Sequence, residues 1–132
     1  MKNIIYFSFF LLFSFVSFSQ TQFEMNEEAK SEYLNSSHKL DSLILNIKKS
    51  YSEDSLFIEK FKLGQIHWKN YVESMIEARF PDENKLEYYG SVYPLCYYYL
   101  LKDYTDKRIE EISIWITGVK EGEACPGSVK FK

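Results

Sequence analysis

Apolar residues recur along this chain at helical rather than strand spacing. After an uncharged opening run, Tyr33, Leu40, Leu43, Ile44 and Ile47 return at intervals that fall on one face, with Lys30, Glu32, Lys39 and Lys48 left for solvent. That pattern predicts an amphipathic helix from Gln22 to about Ser50. Asn35-Ser36-Ser37 is its weak point, because short polar side chains compete for backbone hydrogen bonds, and a bend is expected there. A second stripe runs Phe57, Phe61, Gly64, Trp68, Tyr71 or Val72, Met75 and Arg79. Ser52 or Asp54 can cap its start, Glu53 suits the positive end of the helix dipole, and Pro81 stops it. Gly64 on this stripe predicts a close approach by a neighbouring helix. Residues 81–90 read as a polar loop punctuated by Gly90. Ser91 is placed to cap a third helix, with Pro94 tolerated in its first turn. Val92, Leu95, Cys96, Tyr99, Ile109, Ile112, Ile116 and Val119 form its stripe, and Gly118 ends it. Lys102–Arg108 is polar, so this helix either carries an exposed waist or breaks near Thr105 into a fourth. No run alternates with period two. The expected fold is all-α, an antiparallel three-helix bundle, or four helices given the break, with a C-terminal tail.

The opening run changes the compartment. Met1-Lys2-Asn3 is a short positive stretch, Ile4 to Val16 is uncharged, and Ser17-Phe18-Ser19 places small residues before a cleavage point ahead of Gln20. This is the layout of a secretory signal peptide over residues 1–19. The run is shorter than the roughly 20 apolar residues of a spanning helix, and no later segment is apolar enough to span a bilayer after cleavage. The chain is therefore expected to be periplasmic or secreted, with one domain over residues 20–132 (core about 22–119, tail 120–132). Of the 132 residues, 16 are basic and 19 acidic. With Lys2 removed alongside the leader, the remainder carries a net charge of −4. Such a balance excludes a nucleic-acid protein, because phosphate binding needs clustered positive charge.

Candidate chemistry is sparse. His38 and His67 lie on different predicted helices with no second ligand at a metal spacing, and read as structural or surface residues. No serine sits in a Gly-x-Ser-x-Gly turn, no glycine-rich phosphate loop is present, and Glu110-Glu111 point to different sides of a helix. The expectation is a protein that is not an enzyme, with no cofactor and no metal. Aromatic content is the distinctive feature. Tyr88, Tyr89, Tyr93, Tyr97, Tyr98, Tyr99 and Tyr104 crowd one stretch, and three consecutive tyrosines on a helix cannot all point inward. Asp82, Glu83 and Glu87 lie beside Tyr88, Tyr89 and Tyr93, which makes the 81–93 segment the expected partner contact. The two cysteines, Cys96 and Cys125, are expected to pair in an oxidising compartment. An unbroken third helix would leave that bond within reach only of a nearly extended tail.

Several fragments in order resemble one family. Gln22-Phe23-Glu24-Met25-Asn26-Glu27-Glu28-Ala29, then Leu63-Gly64-Gln65-Ile66-His67-Trp68-Lys69-Asn70-Tyr71, then Gly90-Ser91, Cys96 and Thr105-Asp106-Lys107-Arg108 are similar to the lysozyme inhibitor LprI-type N-terminal domain over about residues 22–112. The departures are Glu28 and Ile76 where the family often has cysteine, Val72 for an arginine, and Ile112 for the final leucine. The resemblance implies a small helical envelope domain, and lysozyme or another envelope protein as partner. It also implies that Cys96 and Cys125 belong together. Trp68, Tyr71, Gly90, Ser91, Thr105 and Arg108 match the pattern, and are read as structural: an aromatic core pair, a helix-start turn, and an arginine satisfying buried carbonyls or a carboxylate. The leading functional expectation is an exported, non-enzymatic lysozyme-binding domain. The alternative is an envelope structural or assembly module that docks another protein through its tyrosine-rich third helix.

Overall fold

The computed structural model describes residues 2–132, with side chains from Thr21 onward; the leader expected at residues 1–19 lies outside the described side chains. Four helices follow in order: α1 (Lys2–Ser50), α2 (Ser55–Arg79), α3 (Lys85–Tyr89) and α4 (Tyr93–Thr117). The three long helices form the expected all-α bundle. Contacts between α1 and α4 advance together along both chains. Asn26 meets Ser91, the Tyr33 and Tyr98 rings lie 6.0 Å apart, and Tyr51 meets Lys130 beyond the far end of α4. These two helices are therefore parallel. Partners of α2 run the other way, from Phe61 on Trp115 through Gln65 on Arg108 to Phe80 on Tyr93, which makes α2 antiparallel to both.

The closest helix–helix approach is between α1 and α4. On α1 the buried or half-buried series is Ala29, Tyr33, Ser36, Leu40, Leu43 and Ile47, alternating steps of four and three. That is the spacing of two helices meshing side chains along a shallow crossing. Ala29 and Ser36 are small, and they face a helix whose own buried positions are Thr105 and Ile112. Ser36, the expected weak point, is buried, and α1 runs through it unbroken. Its hydroxyl bonds Asp106 of α4, so the polar residue serves the interface rather than bending the helix. The main core lies toward the C-terminal ends of α1 and α4, where Leu40, Ile47, Tyr51, Phe61 and Ile112 are buried together. Around them Phe57 stacks 5.4 Å from Phe61 and Trp115 lies 5.7 Å from Phe61.

Local signals explain the ends of α2. Asp54 caps it, its Oδ1 accepting from the Phe57 N–H at 2.9 Å, and Phe80 before Pro81 terminates it. Elsewhere the structure departs from expectation. The polar 81–90 loop contains the short helix α3. Ser91 does not cap α4; Val92 occupies that position, and the Ser91 carbonyl instead accepts from the Asn26 Nδ2 at 3.1 Å. α4 does not break near Thr105. Thr105 is buried and its Oγ1 donates to the Leu101 carbonyl at 2.7 Å, while Lys102–Asp106 and Lys107–Asp103 pair along the outer surface.

The unbroken α4 also overturns the expected route of the tail. Cys96 and Cys125 are both free thiols. From Cys96 to Thr117 the helix advances about 30 Å at 1.5 Å per residue. The tail does not return along it. Val119 bridges to Phe131, the Trp115 Nε1 donates to Ser128 Oγ at 3.0 Å, and the Lys130 Nζ reaches the Ser50 carbonyl at 2.8 Å. Cys125 is thus tied to the end of α4 opposite Cys96.

Two glycines separate close approach from open space. Gly64 was expected to admit a neighbouring helix, yet the nearest foreign atom to a methyl there is an Arg108 guanidinium nitrogen at 4.0 Å. Gly118 has φ +72°, and a methyl would sit 2.8 Å from the Lys130 carbonyl oxygen that anchors the tail. Gly64→Ala is expected to stabilise the fold by about 1 kcal/mol, from helix propensity alone. Gly118→Ala is expected to destabilise it by about 1–2 kcal/mol. Denaturant titration of both variants checks the opposite signs.

Candidate functional site

The end of the bundle that carries α3 is built from aromatic rings. Phe80, at the end of α2, lies 5.1 Å from Tyr89 and 5.2 Å from Tyr93, edge-on to both. The series continues down α4 from Tyr93 to Tyr97 at 6.0 Å and Tyr98 at 5.3 Å, then crosses to Tyr33 of α1. Such offset and edge-on pairs each add to the burial of large apolar area. This ladder absorbs most of the tyrosines. Tyr89, Tyr93, Tyr97 and Tyr98 are half-buried in it, whereas Tyr88 is 71% exposed and Tyr99 53%.

α3 is too short to stand by propensity and is held by side chains. The Asn84 N–H donates to Asp82 Oδ1 at 3.0 Å, Asn84 Nδ2 bonds Glu87, and the Asp82 N–H donates to the Tyr89 hydroxyl at 3.3 Å. Gly90, at φ 75°, closes the helix with its N–H on the Leu86 carbonyl. Lys85 reaches back to Glu77 at 2.8 Å and to the Phe80 carbonyl. The hydrogen bond that the Lys85 ammonium donates to Glu77 raises it above its ordinary value. Burial raises Tyr93 and Tyr97, so both phenols are neutral at physiological pH. Of the six expected contact residues, Glu83, Glu87 and Tyr88 are exposed on this projection. Asp82 is half-buried as a turn former, and Tyr89 and Tyr93 belong to the ladder. Leu86, 60% exposed, was not anticipated; an apolar residue inside a polar loop is the only trace it left in the sequence.

Charge is concentrated at this end. Residues 24–32 and 73–87 contain nine carboxylates against Lys30, Arg79 and Lys85. The remaining residues from 20 onward carry ten carboxylates against twelve basic groups, so the excess negative charge of the domain resides in these two segments.

Behind the projecting surface, residues far apart in sequence form two polar clasps. In the first, the Gln22 Nε2 donates to Asn26 Oδ1 at 2.9 Å and Asn26 donates to Ser91, tying the start of α1 to the turn before α4. In the second, the Arg108 Nε donates to Gln65 Oε1 at 3.2 Å and NH1 to Glu111 at 2.7 Å, with its guanidinium 5.6 Å from the Trp68 ring centre. Gln65 is buried, and its amide nitrogen reaches the Phe61 carbonyl at 3.5 Å. Tyr71, expected to form a core pair with Trp68, is instead exposed and meets Tyr104 edge-on at 6.1 Å. Trp68, Ser91 and Arg108 are thus brought into contacts between helices, whereas Gly90 closes α3 and Thr105 bonds within α4. Gln22, Asn26 and Gln65 complete the clasps; they stood inside the same fragments, but nothing in the sequence paired them with residues more than 40 positions away. Val72, Ile76 and Ile112, three of the departures, are buried apolar residues.

The family model of the lysozyme inhibitor LprI matches residues 17–112. The chain belongs to this family. LprI proteins are inhibitors rather than catalysts, and both clasps, the aromatic ladder and α3 lie inside the matched residues, whereas the tail from Gly118 lies outside them. No curated protein and no solved structure matches the chain. Among the described residues no cluster of histidine, cysteine and carboxylate could hold a metal, and no helix is long and apolar enough to cross a membrane.

Two variants test this LprI framework. Arg108→Ala removes the donor from buried Gln65 and the cation from Trp68, and is expected to cost about 2 kcal/mol. Gln65→Ala combined with it should add less than its own single effect, a non-additivity read by a double-mutant cycle. At Asp106, burial pushes the carboxyl up, but hydrogen bonds from Lys102 and Ser36 outweigh it and hold the group below its ordinary value. Its contribution is therefore complete above the ordinary carboxylate range near pH 4 and is lost as pH falls below it. Asp106→Asn should flatten the acid limb of a melting-temperature profile and leave the neutral side parallel to the parent.

Proposed function

We propose that this chain is an exported, non-enzymatic binding domain whose acidic α3 end engages a basic protein, with lysozyme as the partner to which its family points. One observation carries the reading: Glu83 and Glu87, exposed and in no ion pair among the described residues, flank the exposed Leu86 and Tyr88. Many lysozymes are basic, and a concentrated negative field speeds encounter with such partners and fixes their orientation. An aromatic tip flanked by Glu83 and Glu87 suits insertion at the mouth of a cleft with a cationic rim. Tyrosine and leucine at the centre would supply apolar contact, while the carboxylates would remain at the rim. Export through residues 1–19, with Gln20 as the first mature residue, belongs to the same proposal. The assembly-module alternative has less to draw on, since the ladder takes up Tyr97 and Tyr98 and leaves Tyr99 as the exposed member of that run.

A cell-wall turbidity assay with the purified protein and stoichiometric lysozyme tests the proposal. Inhibition is expected, weakening at least tenfold in Tyr88→Ala and in Glu83→Lys/Glu87→Lys, and weakening as salt is raised from 50 to 500 mM. These positions are exposed, so circular dichroism should remain that of the parent. Absence of inhibition across several lysozyme classes would overturn the reading, as would inhibition indifferent to both variants.

A further inference from the structure

The bundle is filled at both ends by aromatic side chains and is open between them. A cleft of about 380 Å³ lies between α1 and α2 with α4 as its floor. Its wall is aliphatic: Leu40 and Ile44 from α1, Val72 and Ile76 from α2, and Leu101 from α4, with Trp68 also lining it. Its charged lining is predominantly acidic, with Asp41, Glu73 and Glu77 opposed by Lys69 alone. Glu77 is already engaged by Lys85, whereas Asp41 and Glu73 enter no ion pair among the described residues.

We infer that this cleft binds a single-chain cationic amphiphile, its alkyl chain along the aliphatic wall and its ammonium group at Asp41 and Glu73. Three features select that chemistry. The volume falls in the range of small-molecule sites, which form readily between helices of bundles. An aliphatic wall rewards each methylene removed from water. Two unpaired carboxylates against one lysine, in a cleft that Tyr33 and Tyr97 also line, favour a cation over an anion or a neutral head. The cleft adjoins the α3 end through Glu77, but its carboxylates Asp41 and Glu73 are not the Glu83 and Glu87 of the projection, and the inference stands whether or not lysozyme is bound.

Isothermal titration of the purified protein with octyl- and decyltrimethylammonium, and with the matching alkyl sulfates, below their micelle thresholds, tests the inference. Saturable one-site binding of the ammonium compounds is expected, about tenfold tighter for decyl than for octyl. The sulfates should bind at least tenfold more weakly. Asp41→Asn/Glu73→Gln, at exposed positions that leave the core intact, should abolish the preference for the cation. The absence of saturable binding, equal binding of ammonium and sulfate, or an unchanged preference in the double variant would overturn it.

Discussion

The close parallel approach of α1 and α4 is the constraint from which the remaining architecture follows. Ala29 and Ser36 on one helix and Thr105 on the other keep side-chain volume at the interface small. Two of the three are hydroxyl residues, and a hydroxyl removed from water must keep a hydrogen bond. Thr105 bonds its own helix backbone and Ser36 bonds Asp106, so neither is left unpaired. With α1 and α4 this near, α2 cannot mesh equally with both. It is attached by long side chains instead: Phe57 and Phe61 on Trp115 at one end, Phe80 on Tyr89 and Tyr93 at the other, and Arg108 reaching Gln65 and Trp68 between them. The open cleft is the space those spanning contacts leave.

What could be read from residue order alone divides along the same line. The identity and limits of α2 were legible because Asp54 and Pro81 act on their own neighbours, and capping and proline geometry need no tertiary context. The continuity of α4 was not. The polarity of Lys102–Arg108 left a waist and a break both open, and the helix is continuous, with Thr105 buried and bonded within α4 and ion pairs flanking it. α3 was hidden for the opposite reason. Five residues cannot hold a helix by propensity, and the contacts that do so come from Glu77 and the Phe80 carbonyl on Lys85 and from the Asp82 turn. The cysteine pairing was expected from parity, compartment and resemblance, and the unbroken α4 left it only a nearly extended tail, a route the observed tail does not take.

The site shows a related split. The fragments containing Trp68, Gly90, Ser91 and Arg108 stand out in sequence, and Ser91 and Arg108 make contacts between helices. Their partners were invisible as partners, because the clasps join positions 65 and 43 residues apart. The tyrosines were legible as a group but not individually. Helical periodicity shows that a run of three must expose at least one ring, yet which ring escapes depends on where Tyr33 of α1 comes to rest.

Concentrating carboxylates around α3 is not favourable in itself, since like charges gathered at one end of a small domain repel and weaken the compact state. The structure meets that repulsion with interactions that do not depend on charge. Phe80, Tyr89 and Tyr93 hold the end together through ring contacts, Asn26 clasps Ser91 through neutral hydrogen bonds, and only Glu77 is neutralised directly, by Lys85. Glu83 and Glu87 are left in solvent without a cation. A purely structural end would gain stability by spreading those charges or pairing them. An aromatic scaffold that supports an unneutralised acidic projection is instead the arrangement expected where the compensating positive charge arrives with a partner.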